Sequence, residues 1–330
     1  MPYDLKAQLE EMPKVEIHVH LEGATDADTV WEMARRNEVS LPARSLDEWR
    51  SFYEFRSFEH FVEVYIAATT CMQTPDDYYS MVESFLRRQA AQNIRYSEAY
   101  FSPQLHRDGK LSSSEILDAL EAGAKAGYQQ HGSAVRFIAD IGREITEGVD
   151  EVLPFALAGR EREGLFVGLG VGGVEVGHPP ERFAEIFARA RDAGLHVVAH
   201  AGETEGPESV WGALESLKAE RIGHGVHALE DERLIEHLRE NRVPLEVSPN
   251  SNYRLGVVPP DRPHPIRELF DRGVYVTVNS DDPPMFSTDL NNEYLTLAEQ
   301  GFTEEELLLL NSNTIEASFL AEGEKNRVRR

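Results

Sequence analysis

The sequence has one cysteine, few lysines and no long apolar run, and each shortage excludes a class of protein. A single cysteine, Cys71, excludes a disulfide framework within the chain and a zinc site built from several cysteines. No stretch approaches 18 consecutive apolar residues, and residues 1–14 lack the apolar core of a signal peptide. We therefore expect a cytoplasmic protein that does not interact with membranes.

Basic residues are also scarce relative to acidic ones. The chain has 330 residues with 33 Lys and Arg against 58 Asp and Glu, a formal net charge of −25. Such a surface repels polyanions, which argues against binding to nucleic acid or to an anionic membrane. Hydrophobic residues make up 41% of the chain, which is enough for a sizeable core.

What the sequence does have is a repeated alternation of apolar runs and helical patterns. Eight apolar runs rich in Val, Ile, Leu and Phe predict strands buried on both faces; they cover residues 15–21, 94–101, 135–141, 165–171, 195–199, 221–225, 243–247 and 274–278. Helical patterns with start and stop signals follow them; they cover residues 76–92, 114–130, 150–162, 180–193, 208–219, 231–241 and 265–272, and a final helix pair is expected in 303–320. Eight strand–helix units predict a (β/α)8 TIM barrel, with an open doubly wound sheet as the alternative.

The first strand–helix connection is too long for one helix. We expect residues 24–75 to form a helical insertion over the mouth of the barrel. The chain shows no Gly/Ser-rich linker and no repeat of fixed period, so residues 1–330 are interpreted as a single domain.

Two histidines on the first predicted strand are candidate metal ligands. His18 and His20 are two residues apart, so their side chains project to the same side of the strand. Two imidazoles placed in this way supply two-thirds of a three-histidine zinc site. The pair alone is weak evidence for a metal site, because surface or core histidines can have this spacing by chance.

Further polar residues follow the other predicted strands, within the segments His-Ala-Gly-Glu, Arg-Ile-Gly-His-Gly and Asn-Ser-Asp-Asp-Pro. They are His200, Glu203, His224, Asp281 and Asp282. A glutamate in a partly dry site has a raised pKa and can exchange protons near neutral pH. Barrel enzymes place their active sites at the carboxyl ends of the strands, where all these residues are predicted to meet.

These segments, together with residues 13–24 (PKVEIHVHLEGA), resemble the adenosine deaminase family of metal-dependent aminohydrolases in the amidohydrolase superfamily. The resemblance covers residues 13 to about 320. It implies a zinc-dependent deaminase that converts a 6-aminopurine and water to the 6-oxopurine and ammonia.

The resemblance also implies a role for each matched residue. His18, His20, His200 and Asp281 would bind one Zn²⁺, Glu203 would donate a proton at the purine N1, and His224 would orient the attacking water. Asp282 would form a hydrogen bond on the N7 side of the purine, and the backbone at Gly173 would contact its N3 side. Phe58 and Phe61, in the insertion, would line an apolar subsite near the sugar.

Two departures from the family pattern bear on the substrate. Glu22 stands where members that prefer adenosine usually have Asp, at the 5′ end of the ribose, and Gly172-Gly173 stands where adenine-specific members tend to have a Ser-rich turn. They favour a 6-aminopurine nucleoside, either adenosine or a 5′-modified relative such as 6-aminodeoxyfutalosine. The alternative is an adenine deaminase acting on the free base.

The sequence argues against three other functions. A two-metal amidohydrolase usually carries a carboxylated Lys on the fourth strand, and residues 165–171 contain none. The zinc deaminases with a His/Cys/Cys site are excluded by the single cysteine. A non-catalytic binding protein would be expected to lack some of the ligands or Glu203. We expect a purine nucleoside or base as the small-molecule partner, no nucleic acid, and possible homo-oligomers.

Overall fold

Eight parallel strands follow one another around a barrel in chain order, each hydrogen-bonded to the next. They are β1 Lys14–His20, β2 Ile94–Phe101, β3 Ala134–Gly142, β4 Phe166–Gly172, β5 His196–Ala201, β6 Arg221–His224, β7 Leu245–Val247 and β8 Val276–Val278. This computed structural model describes residues 3–329. Near its end the chain returns to β1, because Val19 and Asp281 form a parallel bridge and the His20 amide donates to the Asp281 carbonyl at 2.9 Å. The TIM-barrel prediction is confirmed, and the open sheet is wrong.

The helices surround the strands. They are α1 Tyr3–Glu11, α2 Ala27–Arg36, α3 Leu46–Tyr53, α4 Phe58–Thr70, α5 Pro75–Ala91, α6 Ser113–His131, α7 Val149–Arg160, α8 Ala184–Asp192, α9 Pro207–Gly212, α10 Glu232–Glu240, α11 Pro249–Arg254, α12 Ile266–Asp271, α13 Leu290–Glu299, α14 Glu304–Ala317 and α15 Glu322–Val328. No helix among the described residues is long and apolar enough to cross a membrane.

The helix predictions were wrong in several details. The expected single helix over 208–219 is α9 followed by a π-helical segment, Ala213–Leu217. The expected pair in 303–320 is one helix, α14, opened by a capping box at Thr303 and Glu306. The sequence interpretation also missed α1, α11, α13 and α15; α11 spans only six residues, too few for a helical period to show.

Helices α2–α4 lie in the region predicted as a helical insertion. Trp49 of α3 is fully buried, and its indole N–H donates to the Ala27 carbonyl at 3.0 Å, which joins α3 to α2. Phe61 of α4 stacks on Phe286, in the loop after β8, with ring centres 4.9 Å apart. The insertion therefore reaches the loop that carries Asp281 and Asp282.

Charged side chains occupy part of the barrel interior. Arg221 of β6 is buried between Glu98 of β2 and Glu246 of β7, each at 2.5 Å. Buried charges require such partners, because an unpaired ion is costly to remove from water. Glu246 also faces His18, and so links this ion pair to the carboxyl-terminal rim.

Candidate active site and metal centre

Four predicted ligands from three separate parts of the sequence lie close together at the carboxyl-terminal rim of the barrel. His18 and His20 come from β1, His200 from β5, and Asp281 from the segment after β8. One ligand atom from each lies within 4.8 Å of every other. The convergence expected from the sequence is present, and this group could hold a metal ion.

Three of the distances between these atoms are close to those around a tetrahedral ion. Asp281 Oδ1 is 3.3 Å from His20 Nε2 and 3.6 Å from His18 Nε2, and His20 Nε2 is 3.2 Å from His200 Nε2. A tetrahedral zinc with Zn–N bonds of about 2.05 Å holds its ligand atoms about 3.3 Å apart. His18 Nε2 is buried without a hydrogen-bond partner, as expected of a nitrogen whose lone pair is reserved for a cation.

The second nitrogen of two of these histidines is held by an acceptor. Nδ1 of His18 lies 2.8 Å from the Glu246 carboxylate, and Nδ1 of His200 lies 3.1 Å from the Val171 carbonyl. Each acceptor places the imidazole hydrogen on Nδ1 and leaves the Nε2 lone pair toward the centre of the group. Partners of this kind orient metal-binding histidines and raise their basicity.

The negative charge around the four candidate ligands favours the binding of a cation. Burial opposes protonation of His20, but Asp282, Asp281 and Asp140 outweigh it and raise its pKa to about 10. Burial also opposes protonation of His18, and hydrogen bonds to Asp281 and Glu246 outweigh it, so its pKa rises to about 9. A metal ion would satisfy the same negative field without requiring a proton.

Glu203 lies beside this group, in the loop after β5. Burial raises its pKa to about 8, with further contributions from Asp281 and Glu175. Its Oε1 is buried and lies 3.6 Å from His224 Nδ1. Its protonated form is therefore available at neutral pH to donate a proton.

Glu175 holds the loop that carries Glu203. Its carboxylate accepts the backbone N–H groups of four consecutive residues, Gly202, Glu203, Thr204 and Glu205, at 2.6 to 3.1 Å, and the Ser209 hydroxyl at 2.5 Å. Burial opposes ionisation of Glu175, but these hydrogen bonds outweigh it and lower its pKa. The loop is thus fixed by a carboxylate that sequence analysis did not single out.

Two of the site residues have unusual backbone conformations. His224 has φ = 61° and Asp281 has φ = 66°, in the left-handed region that residues other than glycine rarely adopt. Such strain persists where the surrounding structure imposes it, and it is concentrated at functional sites. Burial lowers the pKa of His224 to about 4, so its imidazole is neutral.

Asp282 and Gly173 lie on the wall of the same cavity. Asp282 Oδ1 is buried without a partner and occupies space beside Gly23, where a Cβ would come within 1.6 Å of it. Beside Gly173, the Glu144 carboxylate accepts the Val174 N–H at 3.0 Å. Glycine at position 23 therefore makes room for Asp282.

The cavity over these groups has a volume of about 770 Å³ and an apolar mouth. Phe58 and Phe61 both line it, and their predicted position near the sugar stays a prediction. Nine large apolar side chains are exposed among the described residues, and six of them line this cavity: Phe58, Val62, Ile66, Leu105, Val174 and Val176. Exposed apolar groups gathered at one opening mark a binding surface.

Glu22 is not part of the lining of this cavity in the described structure. Its carboxylate is fully buried, where Oε1 accepts the Ser102 N–H at 2.8 Å and lies 3.2 Å from His106 Nε2. Ser102 itself lines the cavity, so Glu22 lies behind that wall. The expected contact with the 5′ end of a nucleoside stays a prediction that this geometry does not support.

Several polar residues of the site were missed from the sequence. Glu246 and Asp140 lie within apolar strand runs, and a charged residue inside a buried strand is a signal that could have found them. Ser251 donates to Asp281 Oδ2 at 2.6 Å, and Asn252 contacts His224 at 3.2 Å. These two follow β7 in α11, a helix that the sequence interpretation did not contain.

Comparison with known proteins relates this chain to one family. The family model described as adenosine deaminase matches residues 13–330. Aminodeoxyfutalosine deaminase of Streptomyces coelicolor is 40% identical over 330 residues, covering 99% of this chain and 85% of the relative.

Two solved structures share the fold over nearly their whole length. The crystal structure of adenine deaminase from Arthrobacter aurescens has a TM-score of 0.89 at 32% identity and covers 96% of this chain and 97% of its own. An amidohydrolase from Burkholderia ambifaria, solved with bound Zn, has a TM-score of 0.87 at 26% identity and covers 100% of this chain and 92% of its own.

Proposed function

This chain belongs to the adenosine deaminase family and is a hydrolytic deaminase of adenine-like substrates, and from that premise we propose that it uses one zinc ion to deaminate a 6-aminopurine nucleoside with an extended 5′ substituent. 6-Aminodeoxyfutalosine is the candidate that motivates the substrate test. The products are the 6-oxopurine nucleoside and ammonia.

His18, His20, His200 and Asp281 are the proposed ligands of the zinc ion. Support comes from the spacing of their ligand atoms, from the unpartnered Nε2 of His18 and from the negative field of the group. A relative of the same fold was solved with bound Zn. A zinc ion lowers the pKa of a bound water from 15.7 to about 7.

Glu203 is the proposed proton donor at the purine N1. A protonated N1 draws electron density from C6 and favours attack by water there. A pKa of about 8 lets the carboxyl group keep its proton at neutral pH and release it in the reaction. Glu175 keeps the Glu203 backbone in place.

Three further residues are assigned to binding and orientation. Asp282 has a carboxylate oxygen without a hydrogen-bond partner and would form a hydrogen bond on the N7 side of the purine. The backbone at Gly173 would contact the N3 side. His224 would orient the attacking water. These assignments follow the family motifs and are consistent with the position of all three residues on one cavity.

The observation that carries the substrate proposal is the apolar mouth of the cavity. A volume of about 770 Å³ lies in the range of pockets for drug-sized ligands, and a free purine base would leave much of it empty. Contact between an apolar extension of the substrate and the exposed side chains of Phe58, Val62 and Ile66 would favour binding, because it removes apolar surface from water.

The charge of the lining argues against nucleotides. Six carboxylates line the cavity, and none of its described lining residues is Lys or Arg. A phosphate attached directly to the ribose would meet repulsion there, whereas the uncharged base and ribose of a nucleoside would not. The net charge of −25 acts in the same direction.

A comparison of kcat/KM among four substrates tests the proposal: adenine, adenosine, 5′-methylthioadenosine and 6-aminodeoxyfutalosine. Ammonia release is measured with the purified, zinc-loaded protein. We expect the two 5′-modified nucleosides to exceed adenine by at least tenfold. If adenine is the best substrate, the protein is an adenine deaminase, like the Arthrobacter relative, and the nucleoside proposal is wrong.

A further inference from the structure

A chain of three buried polar side chains leads from the loop before α12 to His224. His264 and His224 are each 1% exposed and Asn252 is fully buried. His264 Nε2 lies 3.1 Å from Asn252 Oδ1, and Asn252 Nδ2 lies 3.2 Å from His224 Nδ1. Of the three, only His224 lines the cavity.

A backbone amide sets the direction of this chain at its far end. The N–H of Ile266 donates to His264 Nδ1 at 3.1 Å. A backbone N–H can only donate, so His264 Nδ1 must accept and carries no hydrogen. The hydrogen of the neutral His264 ring is therefore on Nε2. Burial lowers the pKa of His264 to about 3, so its ring is neutral at neutral pH.

Each following hydrogen bond is then determined. His264 Nε2–H donates to Asn252, so the amide oxygen must face His264 and the amide NH₂ must face His224. The Asn252 NH₂ donates to His224 Nδ1, which must accept. Glu203 Oε1, at 3.6 Å from the same nitrogen, is beyond hydrogen-bond distance and does not compete.

We propose that Asn252 and His264 are positioning residues that hold His224 in the tautomer with its hydrogen on Nε2, so that His224 presents an N–H donor to the cavity. The tautomer assignment stands on the hydrogen-bond geometry alone, and its catalytic consequence rests on the proposed deaminase function. An N–H group can hydrogen-bond to the oxygen of the attacking water as that water loses a proton, whereas a lone pair in the same place would repel the oxygen. The backbone amide of Ile266, 42 positions after His224 in the sequence, thus determines that His224 presents a hydrogen-bond donor rather than an acceptor to the cavity.

Replacing Asn252 by Asp tests this directly. A carboxylate has nearly the same shape and still accepts from His264, but it also accepts from His224 Nδ1 and so draws the hydrogen to that nitrogen. Proton–nitrogen correlation spectra of the zinc-loaded protein report the tautomer, with the His224 signals identified by their loss in His224→Gln. We expect Nε2–H in the wild type and Nδ1–H in Asn252→Asp.

The kinetic expectation is a loss of kcat of roughly 10²-fold or more in Asn252→Asp, with KM and zinc content little changed, as for a catalytic histidine held in the wrong tautomer. Asn292→Asp is the matched control, because Asn292 is exposed in the first turn of α13, where a carboxylate is tolerated. It should keep both the tautomer and kcat.

His264 offers a second pair of variants. His264→Gln can keep a donor toward Asn252 and should retain most of kcat, whereas His264→Phe leaves Asn252 free to reverse and should lower it. A wild-type spectrum with Nδ1–H would overturn the tautomer assignment, and wild-type kcat in Asn252→Asp would overturn its role. A wild-type protein with Nε2–H that deaminates no purine would instead refute the proposed function.

Discussion

Glu246 Oε2 lies 2.8 Å from His18 Nδ1, and both side chains are fully buried although they are 228 positions apart in the chain. Glu246 also accepts the Tyr100 hydroxyl at 3.0 Å and is paired with Arg221. The burial penalty on Glu246 is outweighed first by the charge of Arg221, so its pKa is lowered and it stays ionised. An ionised acceptor behind His18 turns the Nε2 lone pair of His18 toward the other ligands.

Replacing Glu246 by Gln should weaken zinc binding about 10- to 100-fold, the usual effect of losing such a partner of a metal-binding histidine. Competition with a chromophoric chelator measures the affinity. Glu220→Gln is the matched control, because Glu220 also pairs with a histidine, His196 of β5, but outside the metal group and partly exposed. Equal zinc affinity in the Glu246 variant and the wild type would remove Glu246 from this role.

Replacing Glu203 by Gln should lower kcat by about 10²- to 10⁴-fold, because the amide cannot supply the proton that the carboxyl group supplies. Zinc content and binding of a 6-oxopurine product should stay close to wild type, since Glu203 is not in the metal group. Glu208→Gln, at an exposed position of α9, is the control. Turnover at the wild-type rate in Glu203→Gln would refute the proton-donor role.

Replacing Gly23 by Ala should displace Asp282, because the new Cβ would lie 1.6 Å from Asp282 Oδ1. Overpacking of this kind costs about 1 to 3 kcal/mol of unfolding free energy. We expect a lower Tm and a loss of at least tenfold in kcat/KM. Gly323→Ala, where nothing lies within 4 Å, should change neither quantity. A Gly23 variant with normal kcat/KM would mean that the position of Asp282 does not matter for the substrate.

Replacing Phe58 by Ser should lower kcat/KM about tenfold for 5′-methylthioadenosine and little for adenosine. The side chain is 49% exposed at the cavity mouth, so its loss removes contact with the ligand rather than core packing. Leu308→Ser is the control, because Leu308 has the same exposed fraction on α14 and does not line the cavity. An equal loss for both kinds of substrate would place Phe58 near the base rather than the 5′ substituent.

The barrel and the metal group could be predicted because both depend on local signals. Short apolar runs with β-branched residues indicate strands, and parallel strands in a barrel bring their carboxyl ends to one rim. His18 and His200 lie within two residues of the ends of β1 and β5, and Asp281 lies just past β8, so their convergence follows from the fold without knowledge of any contact.

The supporting residues could not be predicted in the same way. Glu175 acts through partners 27 to 34 positions away and Glu246 through one 228 positions away, and which partner each contacts depends on side-chain packing inside the barrel. The left-handed conformations of His224 and Asp281 are imposed by surrounding structure against the preference of the residues. The burial of Glu22 behind Ser102 has the same origin, since the motif places the residue near the rim but not on the cavity side.

Titration of metal-free protein with Zn²⁺ tests the central claim most directly. The chelated protein is supplied with the best substrate of the series, and ammonia release is followed as zinc is added. We predict negligible release without zinc and a linear rise that saturates at one zinc per chain. Full release by the metal-free protein, or saturation only at two ions per chain, would contradict a single-zinc deaminase built on His18, His20, His200 and Asp281.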